Sequence, residues 1–139
     1  MNRTVILGAL IAVIAIGGIA GYLLWNKPHT DAAVTRPDIV LAAEALVSAY
    51  EENEKQADSL YLGKLVELSG SLASVTDNGA AGMVVSLDAT ATGAVSCAFL
   101  PEASDKLLGL APGTPITVRG FCDGLNMFDV NLSRCVRVQ

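Results

Sequence analysis

Three cysteines are the residues in this 139-residue chain whose chemistry is most specific. Cys97, Cys122 and Cys135 contain no C-x-x-C pair, and the single histidine, His29, is distant from them in sequence, so a zinc site is disfavoured. Three thiols allow three alternative disulfides with one thiol left over, provided that the domain lies in an oxidising compartment. Disulfide chemistry is therefore the preferred interpretation of these residues.

Several polar residues are candidates for binding a ligand. The sequence shows no nucleophile beside a base, no glycine-rich phosphate loop and no paired histidines, so we expect no catalytic activity, no cofactor and no metal. Asn53 falls among the inner positions of a predicted helix, where a buried amide bonded to nearby backbone is the simpler interpretation and a ligand contact is the alternative. The candidate ligand-binding residues are Asn53, Tyr61, Lys64, Arg119 and Arg134.

An uncharged segment near the N terminus predicts the location of the protein. Val5 to Trp25 is an apolar run long enough to cross a bilayer as a helix. Arg3 precedes this run, which favours a cytoplasmic N terminus and a C-terminal domain outside the cytoplasm. A signal peptide cleaved after Gly18-Ile19-Ala20 is the alternative, but the apolar run continues past that site. We expect a single-pass signal anchor in residues 1–26, a linker in 27–35 and a domain in 36–139.

A helix is predicted at the start of the domain. Thr35-Arg36-Pro37-Asp38 has the order of an N-cap, a first-turn proline and an acidic residue favoured by the helix dipole. Positions three or four residues apart predict the inner side of this helix, and they are Ala42, Ala45, Ala49, Asn53, Ala57 and Leu60. The opposite side is acidic, with Glu44, Glu51, Glu52, Glu54 and Asp58.

The rest of the chain alternates with the period of two that is typical of half-buried strands. Gly70 interrupts the apolar side of the first strand and predicts a bend at which that strand changes its pairing partner. A short helix is expected within residues 101–110, between the third and fourth strands. The inward positions of the five strands are Val66, Leu68 and Leu72, then Met83, Val85 and Leu87, then Val95, Cys97 and Phe99, then Ile116, Val118 and Gly120, and last Val130, Leu132, Val136 and Val138.

This order of strands is that of an OB-fold, a five-stranded Greek-key barrel. The predicted fold is therefore mainly β, a five-stranded OB-fold Greek-key barrel with an N-terminal α-helix, preceded by a single transmembrane helix. Asp123-Gly124 is expected to form the turn between the last two strands. Because the third and fifth strands are neighbours in such a barrel, a disulfide between Cys97 and Cys135 is preferred, with Cys122 as the third thiol. A bulge near Ser133 would alter the face that Cys135 occupies.

The same residues also resemble a known family. Ala49-Tyr50, Asn53-Glu54, Ala57-Asp58 and Tyr61-x-Gly63-Lys64, followed by Val95-x-Cys97-x-Phe99, Val118-x-Gly120-x-Cys122-x-Gly124 and Val130-x-Leu132-x-x-Cys135, are similar to the tRNA-anticodon-like OB-fold family of bacterial membrane proteins and lipoproteins. The resemblance implies an OB-fold and a bacterial source but no particular activity. Together with the orientation that Arg3 favours, a bacterial source predicts an anchor in the inner membrane and a domain on the periplasmic or other extracytoplasmic side. A membrane helix here replaces the lipidated cysteine of the lipoprotein members.

Charge and aromatic content argue against nucleic acid as the partner. From Arg36 onward, the chain has seven basic and thirteen acidic side chains, which gives a net charge of minus six. An OB-fold that binds single strands needs a basic groove with stacking aromatic rings, and Phe99 is the only aromatic residue in the second and third strands. Arg119, Arg134 and Arg137 are the remaining basic candidates.

The expected function is that of a binding or assembly module with a protein partner in the envelope. The alternative is a domain that binds a small molecule or oligosaccharide through the barrel face and the loops Asp77 to Gly82 and Asp123 to Met127. The oligomeric state is not predicted.

Overall fold

The computed structural model describes residues 2–25 and 31–138 of the chain. The chain divides into two compact units, Met1–Thr30 and Asp31–Gln139. His29 and the predicted linker residues 27–30 lie outside the described residues.

The first unit contains one helix, α1 (Arg3–Trp25). Its segment Val5–Leu23 has a mean hydropathy of 2.4, which makes it long and apolar enough to cross a membrane. The apolar side chains from Val5 to Leu23 that the structure describes are exposed on all sides of the helix. Such all-round apolar exposure is typical of a segment that lipid would cover.

The second unit is built around a closed barrel of five strands. Strands β2, β3 and β4 form an antiparallel meander, β4 pairs in parallel with β6, and β5 pairs with both β6 and β2 to close the barrel. This order confirms the predicted OB-fold. A short additional strand, β1, pairs in parallel with β2. The strands are β1 (Ile39–Ala42), β2 (Leu65–Asp77), β3 (Met83–Asp88), β4 (Ala94–Phe99), β5 (Pro115–Asn126) and β6 (Asp129–Arg137).

Alternating residues along the strands fill the barrel as predicted, except near the C terminus, where the irregularity at Arg134 turns Cys135 inward and leaves Val136 and Val138 half-buried. Each fully buried aliphatic side chain stabilises the fold by about 1.5–3 kcal/mol. Phe99 is the largest buried side chain that the strands contribute to this core. The other buried strand residues include Val66, Leu68, Leu72, Val85, Leu87, Val95, Cys97, Ile116, Val118, Val130 and Leu132.

Gly70 lies where β2 changes partners, as predicted. One edge of β2 pairs with β1 as far as Ser69, and the same edge pairs with β3 from Ser71 onward. A Cβ atom at Gly70 would lie 3.1 Å from the Cβ of Ala43. The glycine therefore allows the helix that follows β1 to approach the barrel closely at this corner.

The prediction of a single helix that begins at residues 35–38 is wrong in two respects: the helical region begins later, and it consists of two helices. Ile39–Ala42 forms β1 instead, because its backbone groups pair with the open edge of β2. Two helices follow, α2 (Ala43–Glu52) and α3 (Glu54–Tyr61). Asn53 ends α2 and caps α3, since its side-chain oxygen accepts a hydrogen bond from the backbone N–H of Gln56 at 3.1 Å.

The inner side of these helices also differs from the predicted one. Ala57 is buried as expected, and Ala49 is partly buried against the core. Ala42, Ala45, Asn53 and Leu60 are exposed. The buried residues of α2 are Ala43, Leu46, Val47 and Tyr50. Larger apolar side chains determine the packed face because they remove more surface from water than alanine does.

A two-residue turn connects β5 and β6 at Met127–Phe128, since Asn126 pairs with Asp129. The predicted turn at Asp123-Gly124 is therefore wrong. Those residues form an irregularity in β5, where the register with β6 shifts between Cys122 and Gly124. Gly124 has a φ of 93°, and a Cβ atom at this position would lie 3.2 Å from the Leu62 side chain. A glycine in a strand pattern can mark such a bulge as well as a turn.

All three cysteines are buried free thiols, so the predicted disulfide between Cys97 and Cys135 is not supported. The strands that carry them are neighbours, as expected, but the register places Cys97 opposite Leu132 and Cys135 opposite Phe99. The two cysteines are thus diagonal neighbours and not a directly opposite pair, and their sulfur atoms are not bonded to each other. The predicted irregularity near Ser133 is present, with Arg134 at a φ of 51°, and it turns Cys135 into the core.

A short helical segment connects β4 to β5, as predicted within residues 101–110. It consists of α4 (Pro101–Ser104) and one turn of 3-10 helix, Asp105–Leu107. Leu107 is buried in the core and Leu108 is exposed. The segment therefore closes this end of the barrel through one leucine, while α2 contacts the strands near the other end.

Candidate binding face of the barrel

A row of small polar side chains crosses the outer surface of the barrel. Ser74 on β2 pairs with Ser86 on β3, Ser86 pairs with Ser96 on β4, and Ser96 pairs with Asn131 on β6. Ser74 is exposed and the other three are half-buried, between inward neighbours that are buried. Since side chains alternate along a strand, the four side chains lie on one outer face, which we call the hydroxyl row.

The outward positions that flank the hydroxyl row on β3 and β4 are also small. Val84 pairs with Ala98 on one side of the row, and Asp88 pairs with Ala94 on the other. Of the outward residues on these two strands, only Asp88 is charged. Serine and asparagine both donate and accept hydrogen bonds, and their small size allows a ligand's backbone to approach the strand closely. This face can therefore bind a neutral polar ligand.

Two connections lie at opposite ends of this face. At one end, the connection between β2 and β3 is fixed by Asp77, whose carboxylate accepts a hydrogen bond from the backbone N–H of Gly79 at 2.8 Å. At the other end lies the turn between β5 and β6. Its adjacent residues Met127 and Phe128 are 85% and 72% exposed, so two large apolar side chains lie side by side on the surface. Met127 falls in a loop predicted from the sequence as an alternative binding site, whereas no role was predicted for Phe128.

The structure brings none of the predicted ligand-binding residues onto the hydroxyl row. Asn53 is exposed and serves as a helix cap. Tyr61 lies beside Tyr50, with ring centroids 6.3 Å apart, and Lys64 is exposed in the connection to β2. Arg134 places its guanidinium 4.2 Å from the centre of the Phe121 ring. These contacts place the residues on other parts of the domain.

Arg119 is occupied by contacts within the domain. Its guanidinium forms an ion pair with Glu67 at 2.6 Å. It also donates hydrogen bonds to the backbone carbonyls of Ala32 and Thr35. Residues 32 and 35, which sequence analysis placed in the linker 27–35, thus contact the barrel.

Burial favours the neutral forms of two of the thiols, Cys122 and Cys135, and of Tyr50. Tyr50 and Cys122 share a hydrogen bond of 3.5 Å between the hydroxyl and the sulfur. Burial raises the pKa of Tyr50 and of Cys122. Burial also raises the pKa of Cys135, as does, to a smaller extent, its contact with the thiol of Cys97. Because the thiolate is the reactive form of cysteine, these thiols are unreactive in the folded state.

Comparisons with known proteins agree with this architecture. The model of the tRNA_anti-like family matches residues 1–136. No curated protein matches the sequence. A lipoprotein from Klebsiella pneumoniae, named for a proposed nucleic-acid-binding role, has a similar structure with a TM-score of 0.61 and 20% sequence identity. The match covers 81% of this chain and 100% of the lipoprotein chain.

Aminoacyl-tRNA synthetases are among the other solved structures that are similar to this chain. The alignment with the asparaginyl-tRNA synthetase of Entamoeba histolytica covers 74% of this chain and 24% of the synthetase chain, at 13% identity and a TM-score of 0.49.

Among the residues that the structure describes, no group of three His, Cys, Asp or Glu side chains is arranged to hold a metal ion.

Proposed function

Because the chain belongs to the tRNA_anti-like family, we propose that it is a membrane-anchored OB-fold module that binds a protein partner in the cell envelope without catalysing a reaction. The hydroxyl row is the observation that carries this proposal. Four small, neutral side chains from four strands form a continuous polar strip on the outer face of the barrel. Such a strip can form hydrogen bonds with the backbone of a partner.

The proposed location is a bacterial inner membrane, with the domain on the extracytoplasmic side. The apolar segment of α1 supports an anchor, and Arg3 before it supports a cytoplasmic N terminus. The first cysteine of the chain is Cys97, so the helix itself is the proposed means of attachment. We accordingly propose that residues 1–26 are the anchor and residues 36–139 the binding domain, with Asp31 to Thr35 in the same compact unit as that domain.

Charge supports a protein partner over a nucleic acid. The similar lipoprotein of Klebsiella pneumoniae is named for nucleic-acid binding, but at 20% identity that likeness concerns the fold. The net charge of minus six from Arg36 onward opposes the phosphate backbone. The hydroxyl row and its flanking positions on β3 and β4 offer neither a basic groove nor stacking aromatic rings.

An oligosaccharide is the second candidate for the ligand. The hydroxyl row favours it, since serine and asparagine side chains can pair with sugar hydroxyls. The exposed ring of Phe128 at one end of the face could stack on a sugar ring. OB-folds are known to bind oligosaccharides with this face of the barrel.

Photo-crosslinking in intact cells tests the proposal. Replacing Ala98 in the full chain with a photoreactive phenylalanine analogue places the probe beside the hydroxyl row, on an exposed position of β4. We expect a protein adduct from this position and none from the same analogue at Ser69, an exposed position on β2 outside the row. Ser96→Glu should reduce the adduct at least fivefold, because it places a charge in the neutral row. A silent probe at Ala98 would contradict the proposed role of the hydroxyl row.

A further inference from the structure

The turn between β5 and β6 carries features that the fold does not need. Met127 has a φ of 58°, a left-handed conformation that is uncommon for residues other than glycine, asparagine and aspartate. Two-residue hairpin turns usually place asparagine or glycine at such a position. The left-handed backbone at Met127 therefore destabilises the turn, and the exposed side chain makes no packing contact that would offset this strain. Strained residues of this kind are concentrated at functional sites.

The side chains of the turn are large, apolar and unpacked. Met127 is 85% exposed and Phe128 is 72% exposed, although both follow a well-paired strand. Methionine adapts its shape to irregular surfaces, and phenylalanine contributes a large rigid contact area. Together they form an apolar tip that fits a concave, apolar surface of another molecule.

The base of this tip is rigid. The carboxylate of Asp129 accepts a hydrogen bond from the backbone N–H of Ala94 at 3.1 Å. Gly93 lies against the carbonyl of Phe128 so closely that a side chain at position 93 would collide with it. Thr90 and Thr92 both donate hydrogen bonds to the carboxylate of Glu51, at 2.7 and 2.6 Å, which fixes the connection between β3 and β4 beside the tip.

Acidic side chains surround the base of the tip. Asp88 pairs with Ala94, the residue whose N–H bonds Asp129. A Cβ atom at Gly93 would lie 3.5 Å from a carboxylate oxygen of Glu51 and 2.6 Å from the carbonyl oxygen of Phe128, so Glu51 lies close to the turn. The apolar tip therefore has an acidic rim, formed by Asp88, Asp129 and Glu51. This rim repels anionic lipid headgroups and attracts cationic side chains.

We propose that Met127 and Phe128 insert into an apolar pocket of the partner protein and that basic side chains around that pocket face Asp88, Asp129 and Glu51. This inference rests on the proposed function and specifies the partner that the module binds. A complementary arrangement of an apolar centre and a charged rim is the general pattern of specific protein interfaces.

A photoreactive phenylalanine analogue in place of Phe128 tests the insertion in the full-length protein in intact cells. We expect a protein adduct whose crosslinked peptide, mapped by mass spectrometry, contains apolar residues flanked by lysine or arginine. Crosslinking to lipid would overturn the proposal in favour of membrane insertion. An adduct peptide with an acidic or neutral surround would overturn the predicted basic rim.

Met127→Gly separates binding from folding. Glycine adopts a φ of 58° without strain, so the melting temperature of this variant should be unchanged or higher. The adduct yield at position 128 should nevertheless fall at least fivefold, because half of the apolar tip is lost. An unchanged yield would overturn the role of Met127.

Charge reversal tests the rim with a matched control. Asp88→Lys, in the rim, should reduce the adduct at position 128 at least threefold. Glu102→Lys, which makes the same charge change on the exposed surface of α4, should leave the adduct unchanged. Equal effects of the two variants would overturn the proposed rim.

The two crosslinking positions distinguish the two proposals. If position 128 is silent and position 98 yields a protein adduct, the tip is not the docking element but the module still binds a protein. If both positions are silent, the proposed function fails together with the inference.

Discussion

Arg119 on β5 and Glu67 on β2 lie directly opposite each other, and the Nε and Nη2 atoms of Arg119 both donate to one oxygen of Glu67, at 3.0 and 2.6 Å. The remaining terminal nitrogen, Nη1, donates to the carbonyls of Ala32 and Thr35 at 3.2 and 2.9 Å. The side chains of Arg119 and Glu67 are only 15% and 18% exposed. One guanidinium thus joins two barrel strands to the segment that precedes β1.

Arg119→Lys should destabilise the domain by about 1–3 kcal/mol, because an ammonium cannot reproduce the planar set of donors that bonds Glu67 and two carbonyls together. Denaturant unfolding of the full chain in detergent measures this change. Hydrogen exchange of the backbone amides in residues 31–38 should also become faster. Arg36→Lys, at an exposed position, is the control and should change neither quantity. Equal behaviour of the two variants would contradict the role assigned to Arg119.

The glycine at the corner of β2 provides a second test. Gly70→Val should cost roughly 1–3 kcal/mol, since the new side chain would meet Ala43 and Leu87 where α2 approaches the barrel. Ser69→Val, one residue earlier and exposed, should be close to neutral because strands accept valine well. The comparison is made by thermal unfolding. If the two variants have the same melting temperature, the close approach of α2 at Gly70 does not contribute to the stability of the domain.

Cysteine labelling tests the state of the three thiols. In protein alkylated during extraction, we expect three labelled cysteines after unfolding without reductant and slow labelling of the native protein, because all three are buried. Burial raises the pKa of Cys122 and Cys135 above the usual thiol value. The folded state should therefore lose stability as the pH rises above the thiol pKa of the unfolded chain, where only the unfolded state ionises. Recovery of a single labelled cysteine would instead demonstrate a disulfide.

Attachment to the membrane depends on the apolar run in α1. The full-length protein should stay in the membrane fraction after high-salt and alkaline washing, because Val5–Leu23 can span the hydrocarbon core. Ile14→Lys, near the middle of the run, should impair insertion by about 2.5–3.5 kcal/mol on the translocon scale. Ile14→Leu is the matched control. Release of the unmodified protein by carbonate, or a mature N terminus at Gly21, would contradict the anchor.

The strands could be predicted from the sequence because a barrel strand has one buried and one exposed side, and that alternation is local. Gly70 could be recognised for the same reason. The start of the first helix could not, because β1 exists only through pairing with β2, which is more than twenty residues away in sequence. The diagonal offset of Cys97 and Cys135 likewise depends on the register between two strands.

The contacts of the candidate binding residues were harder to predict than the fold. Those of Arg119 could not be predicted, because its partners, Glu67 and the carbonyls of Ala32 and Thr35, come from distant segments. The hydroxyl row is visible only once Ser74, Ser86, Ser96 and Asn131 are aligned across four strands. An apolar residue in a turn is recognisable from the local sequence, but Phe128 was not recognised as one because the turn was predicted at Asp123-Gly124.

The chemical class of the adduct formed at Ala98 decides whether the barrel face binds a protein. After crosslinking of the full-length protein in intact cells, the purified adduct is divided and treated with protease, nuclease or glycosidase. We expect an adduct that resists nuclease and glycosidase and that releases peptides of a second protein on protease digestion, because the face beside Ala98 is neutral and the domain is acidic. An adduct whose added mass is removed by nuclease would contradict a protein partner.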